Sequence, residues 1–163
     1  MSGGKGLRNR LMGEALKRLG LTISVAESCT GGLLASRITD VPGSSVYFRG
    51  GIVAYQNDIK ERLLSVPARV MVRHGAVSRQ TAEAMARGCR DLLASDIALS
   101  ITGIAGPSGG SEDKPVGLVY IAVAGVDYLD CRRFVWDGDR VANKERSVDA
   151  ALDLVLSTLV FAT

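Results

Sequence analysis

Apolar residues recur along the chain with two different periods, one typical of helices and one typical of buried strands. Residues 5–19 place leucine and methionine side chains on one helical stripe, and Gly20 follows in the position of a C-terminal cap. Uninterrupted apolar runs at 21–26 and 97–101 predict short buried strands. This alternation of helices and strands is typical of an α/β domain.

The same pattern predicts the rest of the fold. Further helices are predicted after the Thr30-Gly31-Gly32 turn, from Asn57 or Asp58 to Leu64, from Pro67 to about Arg73, after a Ser78 cap, and from about Asp139 to Phe161 with Val141, Val148, Leu152, Val155 and Leu159 facing inward. Further strands are predicted at 51–55, 117–124 and 128–136, the last two paired through a turn at 125–127. We therefore predict one domain over residues 1–163, a three-layer α/β/α sandwich with a mixed, mostly parallel sheet.

The composition is that of a folded domain, and it narrows the possible chemistry. The chain has 163 residues, of which 47% are hydrophobic, so a core can form without disulfides or a structural metal. The single histidine, His74, gives any Ser/His/Asp or Cys/His machinery only one candidate base, and three scattered cysteines with that histidine do not form a zinc cage. We expect no metal and no cofactor, and a base other than histidine if the chain is an enzyme.

The cysteines and the apolar segments indicate the cellular location of the protein. Cys29, Cys89 and Cys131 are odd in number and lie in apolar or helical stretches, which indicates reduced thiols and a cytoplasmic protein. No apolar stretch approaches the roughly 18 residues of a membrane span. Charged residues at positions 14, 17 and 18 interrupt the N-terminal apolar positions, where a secretory signal needs a continuous run. We therefore expect no membrane partner.

The net charge of +3 is concentrated at one end of the chain. Residues 1–20 carry five basic side chains and one acidic side chain, which gives +4, so the remaining 143 residues sum to −1. Nucleic-acid binding through phosphates normally needs a basic face or stripe, and here it would rest on one N-terminal helix. The charge pattern therefore favours a solvated helix face over a nucleic-acid partner.

Candidate chemistry lies where predicted strands end, because ligands of open α/β sheets usually bind beyond the carboxyl ends of the strands. In the segment 27–32, Ser28 can present its hydroxyl beside free helix amides, although Ser28 and Thr30 are also ordinary N-cap residues. Cys29, next to Ser28, needs a base or a cationic neighbour before it can act as a nucleophile.

Two further segments follow predicted strands. Tyr55 ends a strand and Lys60 lies one turn into the next helix, where it is either a base made neutral by burial or an exposed ion-pair partner. Residues 101–117 hold many glycines, which either aim several amides at one anion or form a mobile surface loop. This segment lacks the spacing of a P-loop and of a Rossmann fingerprint. Arg140 and Arg146 lie near the start of the last helix, where one of them could meet a phosphate.

Three ordered motifs together resemble a known family. They are AESCTGGLLASRITDVPGSSVYFRGGIVAYQNDIK, then HGAVS, then SITGIAGPSGG with KPVG. They resemble the C-terminal domain of the competence/damage-inducible CinA proteins, which also occurs as free-standing nicotinamide-nucleotide amidases. The resemblance runs from about Leu16 to Leu159. Arg79, where relatives commonly have glutamate, departs from the family pattern but lies away from these motifs.

The resemblance implies hydrolysis of the carboxamide of nicotinamide mononucleotide to nicotinate mononucleotide and ammonia. It implies a serine nucleophile and a lysine base, which map onto Ser28 and Lys60, with Tyr55 completing the catalytic set. Donors to the oxyanion are expected from the amides of Thr30, Gly31 and Gly32 or of Thr102 and Gly103. The phosphate is expected to meet amides or Arg140, and the cationic ring is expected to meet Tyr55 or Glu27.

Other functions stay open at the level of sequence. The same glycine loops could hold a nucleotide in a non-catalytic binding module, the chain could be a competence or recombination accessory protein, or the enzyme could act on a different amide-bearing nucleotide. The apolar final helix and the polar edge strand could also bury a homodimer interface. Release of ammonia from nicotinamide mononucleotide separates the enzyme from the binding module.

Overall fold

Five strands form one mixed sheet at the centre of the molecule. The structure, a computed structural model, describes residues 3–160. The described strands are β1 Ile23–Glu27, β2 Phe48–Val53, β3 Ile97–Gly103, β4 Leu118–Ala124 and β5 Leu129–Val135, and their order across the sheet is β2-β1-β3-β4-β5. β1 pairs with β2 and β3 in parallel, whereas β4 is antiparallel to β3 and β5, so four of these five strands run one way. The predicted mixed, mostly parallel sheet is confirmed.

Helices cover both faces of the sheet and complete three layers. The described helices are α1 Gly3–Leu19, α2 Leu33–Thr39, α3 Asn57–Leu64, α4 Ala68–His74, α5 Arg79–Leu93 and α6 Arg140–Val160. α1, α2 and α6 pack together on one face, and α5 covers the other face with α3 and α4 against it. The predicted α/β/α sandwich is therefore confirmed. None of the described helices is long and apolar enough to cross a membrane.

Some predicted details differ in the structure. β2 begins at Phe48 rather than at position 51, because it is an edge strand whose residues alternate in exposure and so lack a continuous apolar run. Gln56 occupies the N-cap position of α3 without a side-chain capping bond, and the two residues predicted as its cap lie in the first turn of the helix. Val141 is 66% exposed because no described residue covers that side of the first turn of α6. The predicted end of α6 at Phe161 lies outside the described residues.

The central strand β3 presents large side chains to one helical layer and small ones to the other. Ile97, Leu99 and Ile101 belong to the main apolar cluster with α1 and α6. On the opposite face Ser100 is fully buried, and its hydroxyl donates to the carbonyl of Ala82 in α5 at 2.6 Å. This bond satisfies a buried polar group and lets α5 lie close to the sheet.

Strand directions bring three chain segments to one edge of the sheet. β1, β2 and β3 are parallel neighbours, so their carboxyl ends lie side by side. The segments that follow them, 28–32, 54–60 and 104–117, therefore meet at this edge. This is where open α/β sheets usually bind ligands.

The position of α3 depends on a glycine in α5. A Cβ added at Gly88 would overlap the carbonyl oxygen of Leu64, the last residue of α3, whereas a Cβ added at Gly6 in α1 meets nothing within 4 Å. We expect Gly88→Ala to lower the free energy of unfolding by about 1–3 kcal/mol through overpacking. Gly6→Ala should raise it by up to about 1 kcal/mol through helix propensity. Chemical denaturation measures both, and equal stabilities of the two variants would contradict this account of the α3–α5 contact.

Candidate active site

A cavity of about 350 Å³ opens at the edge where the parallel strands end. Its walls come from all three segments that follow these strands, together with the residues before α5 and the start of α6. The lining residues are Ser28, Cys29, Tyr55, Asn57, Lys60, Ala76, Val77, Thr102, Gly103, Ile104, Ala105, Gly106, Ser108, Gly109 and Arg140. Of the ten residues predicted for the site, Glu27, Thr30, Gly31 and Gly32 do not line it, and the other six do.

A second depression, of about 380 Å³, lies between β5 and α6. It is lined by the stacked rings of Phe134 and Trp136 and by exposed or half-buried charged side chains, among them Arg146 and Asp149. It contains neither a buried nucleophile nor a buried base. Size alone does not separate the two depressions, but the buried polar groups of the first make it the candidate active site.

The centre of the cavity is a buried pair of Ser28 and Lys60. Lys60 Nζ lies 3.2 Å from Ser28 Oγ. Lys60 is 1% exposed and Ser28 is 8% exposed. The amine also lies 2.9 Å from the carbonyl oxygen of Ala54 and 3.2 Å from that of Tyr55. The residues after β2 thus hold the amine, and the first turn of α3 aims it at the serine. The predicted exposed ion pair of Lys60 is excluded by this burial.

Burial lowers the pKa of the Lys60 ammonium below its ordinary value. A neutral amine has two hydrogens and one lone pair. With its hydrogens donated to the carbonyls of Ala54 and Tyr55, its lone pair is left for the hydroxyl hydrogen of Ser28. The arrangement suits a general base next to a nucleophile.

Backbone bonds hold the serine turn in place. The Ser28 amide donates to Ile101 O of β3 at 3.0 Å, and the Gly31 amide donates back to Ser28 O at 3.1 Å. Gly31 and Gly32 have φ angles of +63° and +102°, a region that favours glycine. Among the described residues, the amides of Cys29 and Thr30 donate no hydrogen bond to another residue. Of the predicted donors, the amides of Gly31 and Gly32 are engaged within the protein and Thr30 does not line the cavity, whereas Cys29 lines it and its amide is available to an oxyanion.

The thiol of Cys29 is a poor rival to the Ser28 hydroxyl. Cys29 is buried, and burial raises its pKa to about 11, so the thiolate is scarce at neutral pH. Cys29, Cys89 and Cys131 are all unpaired. No group of three or more His, Cys, Asp or Glu side chains suited to a metal ion occurs among the described residues.

Glu27 does not face the cavity, which corrects the expectation that it meets a cationic ring. Its carboxylate is buried and accepts from the amides of Gly32 and Leu34, each at 3.1 Å, and of Ala35 at 2.8 Å. These amides lie at the start of α2, where helix amides have no partner within the helix. The N-cap residue, Gly32, has no side chain that could accept from them. Glu27 therefore caps α2 and fixes the turn that carries Ser28.

We expect Glu27→Gln to destabilise the protein, because an amide group cannot accept three backbone bonds as a carboxylate does. Loss of charge-assisted bonds to buried amides should lower the free energy of unfolding by about 1–3 kcal/mol. Glu61→Gln, on the exposed side of α3, is the matched control and should change it by less than about 0.5 kcal/mol. Urea denaturation measures both variants, and indistinguishable stabilities would contradict the capping role.

Thr102 and Gly103 shape a wall of the cavity. The Thr102 hydroxyl is buried and donates to the carbonyl of Ala76 at 2.8 Å, so it ties the segment before α5 to β3. A Cβ at Gly103 would lie 2.6 Å from a methyl carbon of Val119, so only glycine suits this position. The two residues lie where they were predicted, but the threonine hydroxyl is engaged within the protein.

Tyr55 and Arg140 stand together at the rim. Arg140 Nη2 donates to Tyr55 Oη at 3.0 Å, and Arg140 Nη1 donates to Gly106 O at 2.7 Å. Tyr55 is 54% exposed, so its ring is accessible from the cavity mouth. The structure thus gives Tyr55 two roles, a backbone carbonyl that holds Lys60 and a hydroxyl that orients Arg140.

Several site residues were not predicted from the sequence. Asn57, Ala76, Val77 and Ser108 line the cavity. The half-buried Lys144 lies beside the serine turn, since its Nζ is 3.8 Å from the place of a Cβ on Gly31, and it forms no ion pair within the described chain. Its position four residues after Arg140 puts both cations on one side of α6, which is the sequence signal that could have found it.

Comparison with known proteins gives consistent results. The family model for the CinA C-terminal domain matches residues 7–159. A CinA-like protein of Chloroherpeton thalassium is 52% identical over 152 residues, covering 91% of this chain and 36% of that protein. The chain spans about a third of the length of the curated relatives that it matches.

Solved structures match over nearly their whole length. A competence/damage inducible protein from Agrobacterium tumefaciens is 38% identical with a TM-score of 0.93, covering 95% of each chain. A CinA superfamily protein from Klebsiella pneumoniae is 29% identical with a TM-score of 0.94, covering 97% of this chain and 99% of the other. The fold described above is therefore shared with these proteins.

Proposed function

This chain belongs to the CinA C-terminal domain family, and from that premise we propose that its cavity hydrolyses the carboxamide of nicotinamide mononucleotide. The products are nicotinate mononucleotide and ammonia. The observation that carries the proposal is the buried contact of 3.2 Å between Lys60 Nζ and Ser28 Oγ. A serine with a lysine base is a set of groups suited to an unactivated amide, and this set needs neither histidine nor metal.

In the first half-reaction, Ser28 Oγ attacks the carboxamide carbon while Lys60 takes the hydroxyl proton. The negative charge that develops on the carbonyl oxygen is stabilised by the amide of Cys29, which lines the cavity. The carbon–nitrogen bond then breaks, Lys60 returns the proton to the nitrogen, and ammonia leaves. The acid portion of the substrate remains as an ester on Ser28.

In the second half-reaction, water replaces ammonia. Neutral Lys60 takes a proton from water while the water oxygen attacks the ester carbon, and the Cys29 amide again stabilises the oxyanion. The bond to Ser28 Oγ breaks and the proton on Lys60 returns to the serine oxygen. Nicotinate mononucleotide leaves and the starting pair is restored.

The phosphate of the substrate is assigned to the cationic side of the cavity. Arg140 lines the cavity, and Lys144 follows one turn later beside Gly31 without an ion-pair partner in the described chain. The amides of Ser108 and Gly109 also carry no hydrogen bond within the described chain and can donate to phosphate oxygens. The exposed ring of Tyr55 is available to stack on the cationic ring of the substrate.

We expect Arg140→Met to raise KM for nicotinamide mononucleotide by about 10-fold to 100-fold, the range that one charge-assisted bond supports. Nicotinamide riboside lacks the phosphate, so its KM should change little. Arg132→Met, on the exposed part of β5, is the matched control. Steady-state ammonia release measures KM of the wild type, Arg140→Met and Arg132→Met with each of the two substrates. Equal rises in KM for nucleotide and riboside would instead mean that Arg140 acts only by holding Gly106 and Tyr55.

The proposed function is tested by incubating the protein with nicotinamide mononucleotide and quantifying both products. We expect ammonia and nicotinate mononucleotide in equal amounts. Binding of the nucleotide without ammonia would favour a binding module, and ammonia from another amide-bearing nucleotide alone would change the substrate but keep the reaction. Absence of both binding and turnover would contradict the proposal and leave an accessory role for the chain.

A further inference from the structure

The glycine-rich segment after β3 forms one wall of the cavity, and α6 holds its beginning. Asn143 Nδ2 donates to Ala105 O at 3.0 Å, and Arg140 Nη1 donates to Gly106 O at 2.7 Å. At the base of the segment, the Ile104 amide donates to Leu118 O and the Gly117 amide donates to Ile104 O. These bonds leave residues 107–114 as the part of the wall that α6 and the sheet do not hold.

A single described hydrogen bond ties residues 107–114 to another element. Lys114 Nζ donates to the carbonyl of His74 at 2.6 Å. His74 is the last residue of α4, and the carbonyl end of a helix favours a cation. A turn closed by the Ser111 amide on Lys114 O, and by the Lys114 amide on Ser111 Oγ, presents the lysine side chain to α4.

The backbone beside the Lys114 ammonium, at the end of α4, leaves room for it and is fixed by hydrogen bonds. Gly75, next to His74, has a φ of +81°, and a Cβ there would lie 2.5 Å from Lys114 Nζ. The hydroxyls of Ser78 and Thr81 both donate to the carbonyl of Gly75, at 3.0 and 2.8 Å. Lys114 is therefore bonded to a part of the chain that is itself held firmly.

We propose that Lys114 is a positioning residue that fixes the free side of the glycine-rich wall against α4 and so determines how tightly the cavity holds its nucleotide. Ser108 and Gly109, which line the cavity, lie on the stretch that Lys114 secures. This inference rests on the proposed function for its kinetic consequence. The reactive pair does not depend on Lys114, since Ser28 is held by β3 and Lys60 by the residues after β2.

The test compares Lys114→Met with Lys17→Met. Lys17 serves as the control. It lies in α1, in the opposite helical layer, with its ammonium over the ring of Tyr47. In the ligand-free protein, we expect the backbone ¹⁵N order parameters of residues 108–113 to fall in Lys114→Met from near 0.85, typical of rigid backbone, to below about 0.6. Those of β3 and β4 should stay unchanged, as should all of them in Lys17→Met.

In the ammonia assay, Lys114→Met should raise KM for nicotinamide mononucleotide by about tenfold or more, the size that loss of one charged hydrogen bond supports, with kcat close to that of the wild type. Unchanged order parameters, an unchanged KM, or an equal fall in kcat would each overturn the positioning role. A wild-type protein that releases no ammonia contradicts the proposed function alone. In that case the order parameters still decide whether Lys114 orders the wall.

Discussion

Ser28→Ala is expected to lower the rate of ammonia release from nicotinamide mononucleotide by about a thousandfold or more, because the substitution removes the attacking oxygen. The neighbouring thiol of Cys29 is a poor substitute for the buried hydroxyl, because burial raises the pKa of that thiol to about 11. The fold should be retained, because the turn is held by the Ser28 backbone and not by its hydroxyl. Binding of the nucleotide should persist. Turnover is measured as ammonia, and binding is measured by calorimetry.

Cys29→Ala is the matched variant for this test. It removes the other nucleophile of the same turn and keeps every backbone amide, so most of the activity should remain. Ser157→Ala, near the far end of α6, controls for loss of a serine hydroxyl elsewhere. If Cys29→Ala were inactive and Ser28→Ala active, the thiol would be the nucleophile and the proposed serine mechanism would be contradicted.

Lys60→Met is the second change with a large expected effect. Methionine keeps an unbranched side chain that is one atom shorter and removes the base, and general-base catalysis typically contributes about 10²-fold to 10⁴-fold to a rate. We expect kcat to fall within that range. Lys60→Arg should be as inactive as Lys60→Met, because a guanidinium group does not lose its proton in proteins. Circular dichroism of both variants checks that the fold is kept. Substantial turnover by Lys60→Arg would contradict a role in proton transfer.

The pH dependence of the wild type tests the same group without substitution. Lys60 acts as a base only when it is neutral, so kcat/KM should rise as the pH increases through the pKa of the amine. Burial lowers that pKa, which places the rise below the ordinary lysine value of about 10.4. A profile that is flat from pH 5 upward would mean that no lysine has to lose a proton before the reaction.

The elements that the sequence predicts best are those with strong local signals. Ser78 is predicted as the cap of α5, and in the structure its hydroxyl accepts from the Thr81 amide at 3.2 Å. Gly20 is predicted to end α1, and its φ of +65° is the conformation that such a position needs. The edge strand β2 is predicted less well, because alternation of exposed and half-buried residues leaves no continuous apolar run.

The site follows from the sequence only in part. Strand order brings Ser28 and Lys60 to the same edge of the sheet, and that convergence is predictable once the strands are. The role of Glu27 is not predictable, because its partners are backbone amides that carry no signature in the residue types. The bond from Lys114 to the carbonyl of His74 is hidden for the same reason, and it spans 40 residues.

The most direct test of the central claim is a single-turnover reaction, quenched in acid and analysed by mass spectrometry of the peptide that contains Ser28. During the burst of ammonia, this peptide should gain the mass of nicotinate mononucleotide less water and then lose it as the free acid appears. The Ser28→Ala protein should show neither the adduct nor the burst. Ammonia released by the wild type while the Ser28 peptide stays unmodified at every time point would contradict the account.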